Sequence, residues 1–248
     1  MHLIIMEIHK SYSDLEHLSN IELFYSKPEY FKQNEIILEG DECRHAVKVM
    51  RHHSGDEIFV TNGDGKIFYG IINKILKDTL SVTIKKEFTY KNKFSAIVFC
   101  LPKLKNPERF EFALEKCAEL GITNFIVFES ERTISKSSKI DRWHKILLSA
   151  MKQSLQSFLP VISTANSIEE IKNIEGKKFI FEQNTGNVFR GLPKDIMGKY
   201  YFLFGPEGGF SQKELEIFKD NELFRLADNR LRSETAIIKC ASLLTTIV

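Results

Sequence analysis

At 248 residues, with 43% apolar and 27% charged side chains, the chain suits one large globular domain or two smaller ones. No apolar run is long enough to span a membrane, and Leu3–Met6 is too short and poorly flanked for a signal peptide, so the expected compartment is the cytoplasm. The net charge of +2 is uneven: residues 1–90 hold 11 Lys+Arg against 14 Asp+Glu, and the rest hold 24 against 19, so nucleic-acid contact would need a local patch.

Up to about residue 90 the pattern is mostly β. Glu35 to Leu38 predicts a short strand. Glu42 to about Met50 predicts a helix, with Asp41 as its N-cap. Asp56 to Thr61 and Lys66 to Ile75 flank Asn62-Gly63-Asp64-Gly65, a hairpin signal because these residues tolerate positive φ. Leu80 to Phe88 alternates as a further strand. These elements predict a small β-barrel-like domain. Tyr90-Lys91-Asn92-Lys93 is a polar break and the expected linker.

Beyond it, strands alternate with helices. Ser95 to Leu101 predicts a buried strand, and Asn106-Pro107-Glu108 opens a helix with Pro at N1 and acid in the first turn. Phe110, Ala113, Leu114 and Cys117 follow at helical spacing, and Gly121 ends it. Phe125 to Phe128 predicts a strand and Ile140 to Ser157 a long amphipathic helix. Phe179 to Phe181, Tyr200 to Phe204 and Leu223 to Leu226 predict three more strands. Ser211-x-x-Glu214 is a capping box that opens the helix between the last two. Such alternation implies a largely parallel sheet covered by helices.

Cys43, Cys100, Cys117 and Cys240 form no Cys-x-x-Cys pair and match no zinc spacing. They read as reduced thiols, several of them in the core, and no metal is expected. No Ser-His-Asp or Cys-His arrangement with a nucleophile's context is visible.

Two turns near the C-terminus stand out. Gly205-Pro206-Glu207-Gly208-Gly209 runs from a strand end toward a helix start, where glycines let backbone approach a ligand. It is neither a dinucleotide fingerprint nor a P-loop, and a plain tight turn is the competing reading. Leu231-Arg232-Ser233-Glu234-Thr235-Ala236 leads into the last helix. Arg232 there opposes the helix dipole. An anionic ligand or a reacting base would explain it; so would solvation or pairing with Glu234. Facing each other, two such turns suggest a small-molecule site.

Two basic groups complete the inventory. Arg44, Lys48 and Arg51 fall at i, i+4, i+7, with His45, His52 and His53 among them. They form a basic face suited to phosphate, or simply a solvated one. Lys103, Lys105 and Arg109 lie where a parallel strand meets its helix, a position from which they reach phosphates or serve as surface charge.

With these segments in view, the chain resembles the RsmE-type ribosomal RNA methyltransferases of the SPOUT superfamily, over about residues 21–248. The resemblance is carried by Cys43-Arg44-His45-Ala46-Val47-Lys48-Val49-Met50-Arg51 with Gly55-Asp56, and by Lys116-Cys117-Ala118-Glu119-Leu120-Gly121-Ile122. Ser130-Glu131-Arg132, Arg142-Trp143, Ala150, Gln153-Ser154 and Pro160 continue it. The stretches from Gly205 to Phe210 and from Leu231 to Ala236 complete it. Their order and spacing together are specific, though each piece alone is weak.

The resemblance implies a PUA-like RNA-binding β-barrel domain over 21–90 and a trefoil-knotted α/β methyltransferase domain over 94–248. It implies a cytoplasmic homodimer that transfers a methyl group from S-adenosylmethionine to N3 of a uridine in 16S rRNA of the small ribosomal subunit. Carried onto this chain, the cofactor loops are Phe181-Glu182-Gln183, Phe204 to Gly209, and Leu226 to Ser233. The residues expected to bind cofactor are Phe181, Glu182, Phe204, Gly205, Pro206, Gly208, Gly209, Leu226, Asn229, Leu231 and Ser233. Arg232 would stabilise the uracil anion, with Glu207 orienting the cofactor or the arginine. RNA contacts would come from Arg44, His45, Lys48, Arg51, Lys103, Arg109 and Arg132.

This chain has Ala227 where many relatives carry Gly, Asn229 where many carry Arg, and Gln156 where many carry a basic residue. Two other functions compete: a SPOUT enzyme acting on another RNA position, and a non-catalytic RNA-binding assembly factor. Binding RNA requires neither the Gly205–Gly209 turn nor Arg232, which argues against the second.

Overall fold

A computed structural model describes residues 21–133, 139–192 and 198–246. Leu3–Met6 lies outside them. The chain divides into two compact units. One holds the described residues up to Asn92 together with Met151–Leu159; the other holds Lys93–Ala150 and the chain from Pro160 onward. Met151–Leu159 falls inside the 94–248 range expected for the second domain but clusters with the first unit.

The first unit is a six-stranded sheet in the order β1-β4-β5-β6-β3-β2. Its strands are β1 (Leu23–Tyr25), β2 (Phe31–Lys32), β3 (Glu35–Glu39), β4 (Glu57–Thr61), β5 (Lys66–Ile75) and β6 (Thr79–Thr89). Phe24, Ile36, Leu38, Ile58, Val60, Phe68, Ile72, Leu80 and Val82 fill its core, the buried half of an alternating pattern. The helix expected from Glu42 to Met50 is shorter and irregular. Helix α1 covers Gly40–Arg44, and the chain then widens into a π-type turn over His45–Val49, with Met50 N–H on His45 O at 3.0 Å. Asp41 is not the N-cap: Glu39 holds that position and makes no side-chain cap bond. Arg51 lies beyond the turn at φ +59, so Arg44, Lys48 and Arg51 do not share one regular helix face, although all three are exposed.

The Asn62–Gly65 tip forms as expected. Asn62 Oδ1 accepts from the N–H groups of Asp64 and Lys66 at 2.9 and 3.2 Å. The returning segment clasps this tip: Gly65 N–H donates to Ser157 O at 2.9 Å, and Leu159 N–H to Gly63 O at 2.8 Å.

The second unit is a parallel sheet in the order β12-β10-β11-β7-β8-β9. The strands are β7 (Ile97–Pro102), β8 (Asn124–Phe128), β9 (Val161–Ala165), β10 (Lys177–Phe181), β11 (Tyr200–Phe204) and β12 (Glu222–Phe224). β7 and β11 are buried at every residue, as their unbroken apolar runs require when both faces are covered. Ile97, Phe99 and Leu101 point to a core shared with α2 (Pro107–Glu119), α3 (Ile140–Gln153) and α6 (Ser233–Thr246). Val98 and Cys100 point to the opposite core, against α4 (Ile168–Asn173) and the loop and helix around α5 (Gln212–Ile217).

Helix α2 begins as its sequence asks. The Asn106 side chain caps it, accepting from Glu108 and Arg109 N–H, and Gly121 follows it at φ +92. Helix α3 stops at Gln153 rather than running to Ser157. Leu155 takes a left-handed φ of +55, and Gln156 N–H turns back to Met151 O at 2.9 Å. Strand β9 and helix α4 were not expected. All four cysteines are buried and unpaired, and burial pushes the thiols of Cys100, Cys117 and Cys240 well up, so they are inert at neutral pH.

A methyl group on Gly65 would meet the Phe158 ring at 2.6 Å, on a backbone at φ +86. Gly65→Ala is therefore expected to destabilise the protein by about 1–3 kcal/mol. Gly186→Ala, where nothing lies within 4 Å, is expected to be nearly neutral. Urea denaturation midpoints compare the two.

Candidate active site

β10 lies between β11 and β12, parallel to both, so the segments leaving these strands emerge at the same, carboxyl, end of the sheet. Ligands of open parallel sheets bind at that end. The register pairs Phe179 with Phe202 and Phe181 with Phe204, and their rings stack at 5.2 and 4.9 Å between centroids. Each such pair adds about 0.5–1.5 kcal/mol beyond its burial and gives the loops a rigid floor.

The loops are bonded to each other above that floor. Glu182 N–H donates to Phe224 O at 2.9 Å, and Gln183 Nε2 reaches Ala227 O at 3.2 Å. Ser233 Oγ donates to Gly205 O at 2.7 Å, tying the start of α6 to the glycine turn. Gly209 stands at φ +67 with its N–H on Pro206 O at 2.9 Å. A Cβ on Gly205 would press on Gly209 Cα and Phe210 N at 3.3 Å each, so the turn folds too closely on itself for a side chain there.

Between these loops lies a cavity of about 620 Å³. Of the residues expected around a cofactor, Phe181, Glu182, Phe204, Gly205, Pro206, Gly208, Gly209, Leu226, Leu231 and Ser233 line it, as do Glu207 and Arg232. Asn229 does not: it is exposed, and its amide reaches only Arg230 O at 3.5 Å. Asn184, Phe224, Arg225 and Ala236 line the cavity unforeseen. Phe224 and Arg225 read as strand interior in the sequence. The strand ends at Phe224, because Arg225 N–H turns to Asn187 O at 2.8 Å.

The glycine turn is braced from outside. Arg132 Nη1 donates to Gly208 O at 2.5 Å, and Glu207 Oε1 accepts from Lys105 N–H at 3.0 Å. Behind Arg132, the buried Glu214 carboxylate gathers three donors: Ser130 Oγ at 2.8 Å, Glu131 N–H at 3.0 Å and Ser211 N–H at 2.7 Å. The capping box at Ser211 and Glu214 therefore does more than start α5; it anchors the loop after β8 to the glycine turn. The Ser211 hydroxyl and Lys213 beside Glu131 hold its carboxyl below the usual range.

The residues expected on RNA are dispersed. Arg109 lines the cavity. Arg132 is committed to the Gly208 carbonyl. Lys103 corrects an expectation: it is only 6% exposed and its ammonium sits 2.7 Å from Glu129, which leaves it unable to reach a phosphate. In the first unit, Arg44 pairs with Asp41, and His45 lies 3.7 Å from Glu22, while Lys48 and Arg51 are exposed.

A two-unit chain with a loop-lined site at the carboxyl end of a parallel sheet belongs to the class of α/β enzymes that carry an accessory β-domain. An RNA methyltransferase domain family matches residues 91–245, and an RNA methyltransferase PUA domain family matches residues 38–85. The chain belongs to the RNA methyltransferase family, so the resemblance seen in its sequence holds at that level. It is 28% identical over 218 residues to ribosomal RNA small subunit methyltransferase E of Bacillus subtilis (strain 168), covering 79% of this chain and 84% of that one. It is 27% identical over 232 residues to the protein of the same name from Aquifex aeolicus (strain VF5), covering 90% and 98%. Among solved structures, ribosomal RNA small subunit methyltransferase E from Neisseria gonorrhoeae, bound to S-adenosyl methionine, aligns with a TM-score of 0.80 at 26% identity. That alignment covers 92% of this chain and 98% of that one. A probable rRNA-methyltransferase from Porphyromonas gingivalis aligns at 0.78 with 28% identity, over the same shares.

Glu214→Ala would leave three donors without their acceptor and is expected to cost about 3 kcal/mol. Ser211→Ala, losing the cap hydroxyl alone, should cost about 1 kcal/mol. Thermal unfolding of the two variants measures the difference.

Proposed function

We propose that this protein transfers a methyl group from S-adenosylmethionine to N3 of a uridine in 16S rRNA of the small ribosomal subunit. The observation that carries the reading is the convergence of three loops, after β10, β11 and β12, on one cavity, the first two each bonded to the third. The likeness to ribosomal RNA small subunit methyltransferase E over most of the chain supports the substrate.

The cavity fits the cofactor. Flat walls of Phe181, Phe204 and Phe224 suit a purine, and the carboxylates of Glu182 and Glu207 on the lining would suit its cationic groups. Arg225 Nε is a buried donor without a partner among the described residues, an atom that a bound carboxylate would satisfy. When bound, S-adenosylmethionine supplies a methyl already activated by its sulfonium. The chain's own task is to align the acceptor, exclude water and manage the N3 proton. Arg232 is exposed on the cavity wall at the N-terminus of α6, a cation suited to stabilise the uracil as it becomes an anion. Glu207, fixed by Lys105 N–H, holds the glycine turn beside it. Lys48 and Arg51, both exposed and without an ion pair among the described residues, offer RNA phosphates two charges of the first unit.

The reading includes a homodimer acting in the cytoplasm, where ribosomes are made, and a trefoil knot at the cofactor loops. The dimer rests on the family resemblance. The knot rests on the same resemblance.

Mass mapping of methyl groups on 16S rRNA, with and without the protein, tests the reaction: one added methyl at uridine N3 is expected. Arg232→Ala should lower kcat about 100- to 1,000-fold with its circular dichroism unchanged. Near-normal turnover would remove Arg232 from the mechanism.

A further inference from the structure

A second cleft, of about 710 Å³, opens beside the cofactor cavity in the same unit. It is formed by the start of α2 and the approach to α3, and it shares Arg109 and Glu207 with the first cavity as a common wall. Its volume is within the range of small-molecule sites, which run to about 1,000 Å³.

Its charges are divided between spent and unspent groups. The Glu111 carboxylate is held by Arg142 at 2.6 Å, and Glu207 by Lys105 N–H at 3.0 Å. The first N–H groups of α2 are also taken: Asn106 accepts Glu108 and Arg109 N–H on its side chain and Phe110 N–H on its carbonyl. Recognition in the cleft must therefore come from side chains. Lys105 and Lys139 are exposed, and among the described residues neither has a carboxylate within 4.0 Å. Arg109 is steadied from behind by Glu234, 3.6 Å from its Nε, and keeps its face toward both cavities.

The common wall has a second property. The imide edge of uracil presents an acceptor, the N3–H donor and another acceptor. Its complement is an acceptor flanked by donors. Glu207 supplies the acceptor at the wall through Oε2, since Lys105 N–H uses only Oε1, with Arg109 beside it and Arg232 on the cofactor side.

We propose that this cleft is the subsite for the acceptor nucleotide: its sugar–phosphate lies on Lys105 and Lys139, and its imide edge turns across the wall to Glu207 and Arg109. The proposal rests on the methyltransferase reading and adds to it where the RNA strand sits.

Lys105→Glu and Lys139→Glu test it, with Lys172→Glu as the control. Lys172 is exposed on α4, on the opposite face of the sheet, so it measures the effect of the same charge change elsewhere. Each cleft variant should raise KM for 16S rRNA about tenfold, with S-adenosylmethionine affinity in calorimetry unchanged. The salt slope of oligouridylate binding should fall by about one per charge removed. Cleft variants that match Lys172→Glu in KM and oligouridylate affinity would overturn the subsite. A wild-type protein that binds oligouridylate through these lysines but methylates no 16S rRNA would overturn the reaction and leave the nucleotide subsite standing.

Discussion

The parallel pairing of β10 with β11 on one side and β12 on the other is the constraint from which the site follows. It sends three connections out at one end of the sheet. It also sets the register that stacks Phe179 on Phe202 and Phe181 on Phe204. With the floor fixed, a few bonds between loop backbone and side chains suffice to enclose a cavity: Glu182 to Phe224, Gln183 to Ala227, Ser233 to Gly205. Backbone groups need no particular side chain at most of these positions. A pocket of this kind can therefore persist while sequence identity among relatives falls below a third.

The glycine turn shows how flexibility of composition and rigidity of structure coexist. Glycines at 205, 208 and 209 remove side chains from the wall, which alone would leave a floppy segment. The rigidity is supplied from outside, by Arg132 on the Gly208 carbonyl, Lys105 N–H on Glu207 and Ser233 on Gly205. Glu214 then holds the loop that carries Arg132. Its three bonds use the acceptor capacity of a buried carboxylate well enough to offset the loss of water around it.

Much of this was legible in the sequence where local chemistry and tertiary context agree. Unbroken apolar runs such as Tyr200–Phe204 are what a strand covered on both faces must look like. Asn106-Pro107 and Ser211-x-x-Glu214 state their helix starts outright. The failures have physical reasons. Leu155 adopts a left-handed backbone that leucine does not advertise, so the apolar spacing of α3 runs on past its actual end at Gln153. The π-type turn after Arg44 keeps a helical composition while losing helical spacing. β9 is a short edge strand with Val161 exposed, and its pattern was too weak to stand out. Lys103 does follow a strand end, but the pairing that buries it, with Glu129, is 26 residues away and invisible to spacing. Asn229 sits within a cofactor loop yet faces outward, since loop membership does not fix side-chain direction.

The clasp on the Asn62–Gly65 tip has a consequence for the making of the protein. Its hydrogen bonds join Gly65 to Ser157 and Gly63 to Leu159, so the first unit lacks part of its own structure until residue 159 has been synthesised. By then β7, α2, β8 and the whole of α3 have already been synthesised. The N-terminal unit therefore cannot finish folding as an independent early product, in contrast to the usual order in which domains mature one after another during translation. The nascent chain must hold its hairpin tip open for roughly ninety residues, a few seconds to tens of seconds at ordinary elongation rates. The cut between the two units in space is thus not a cut in time.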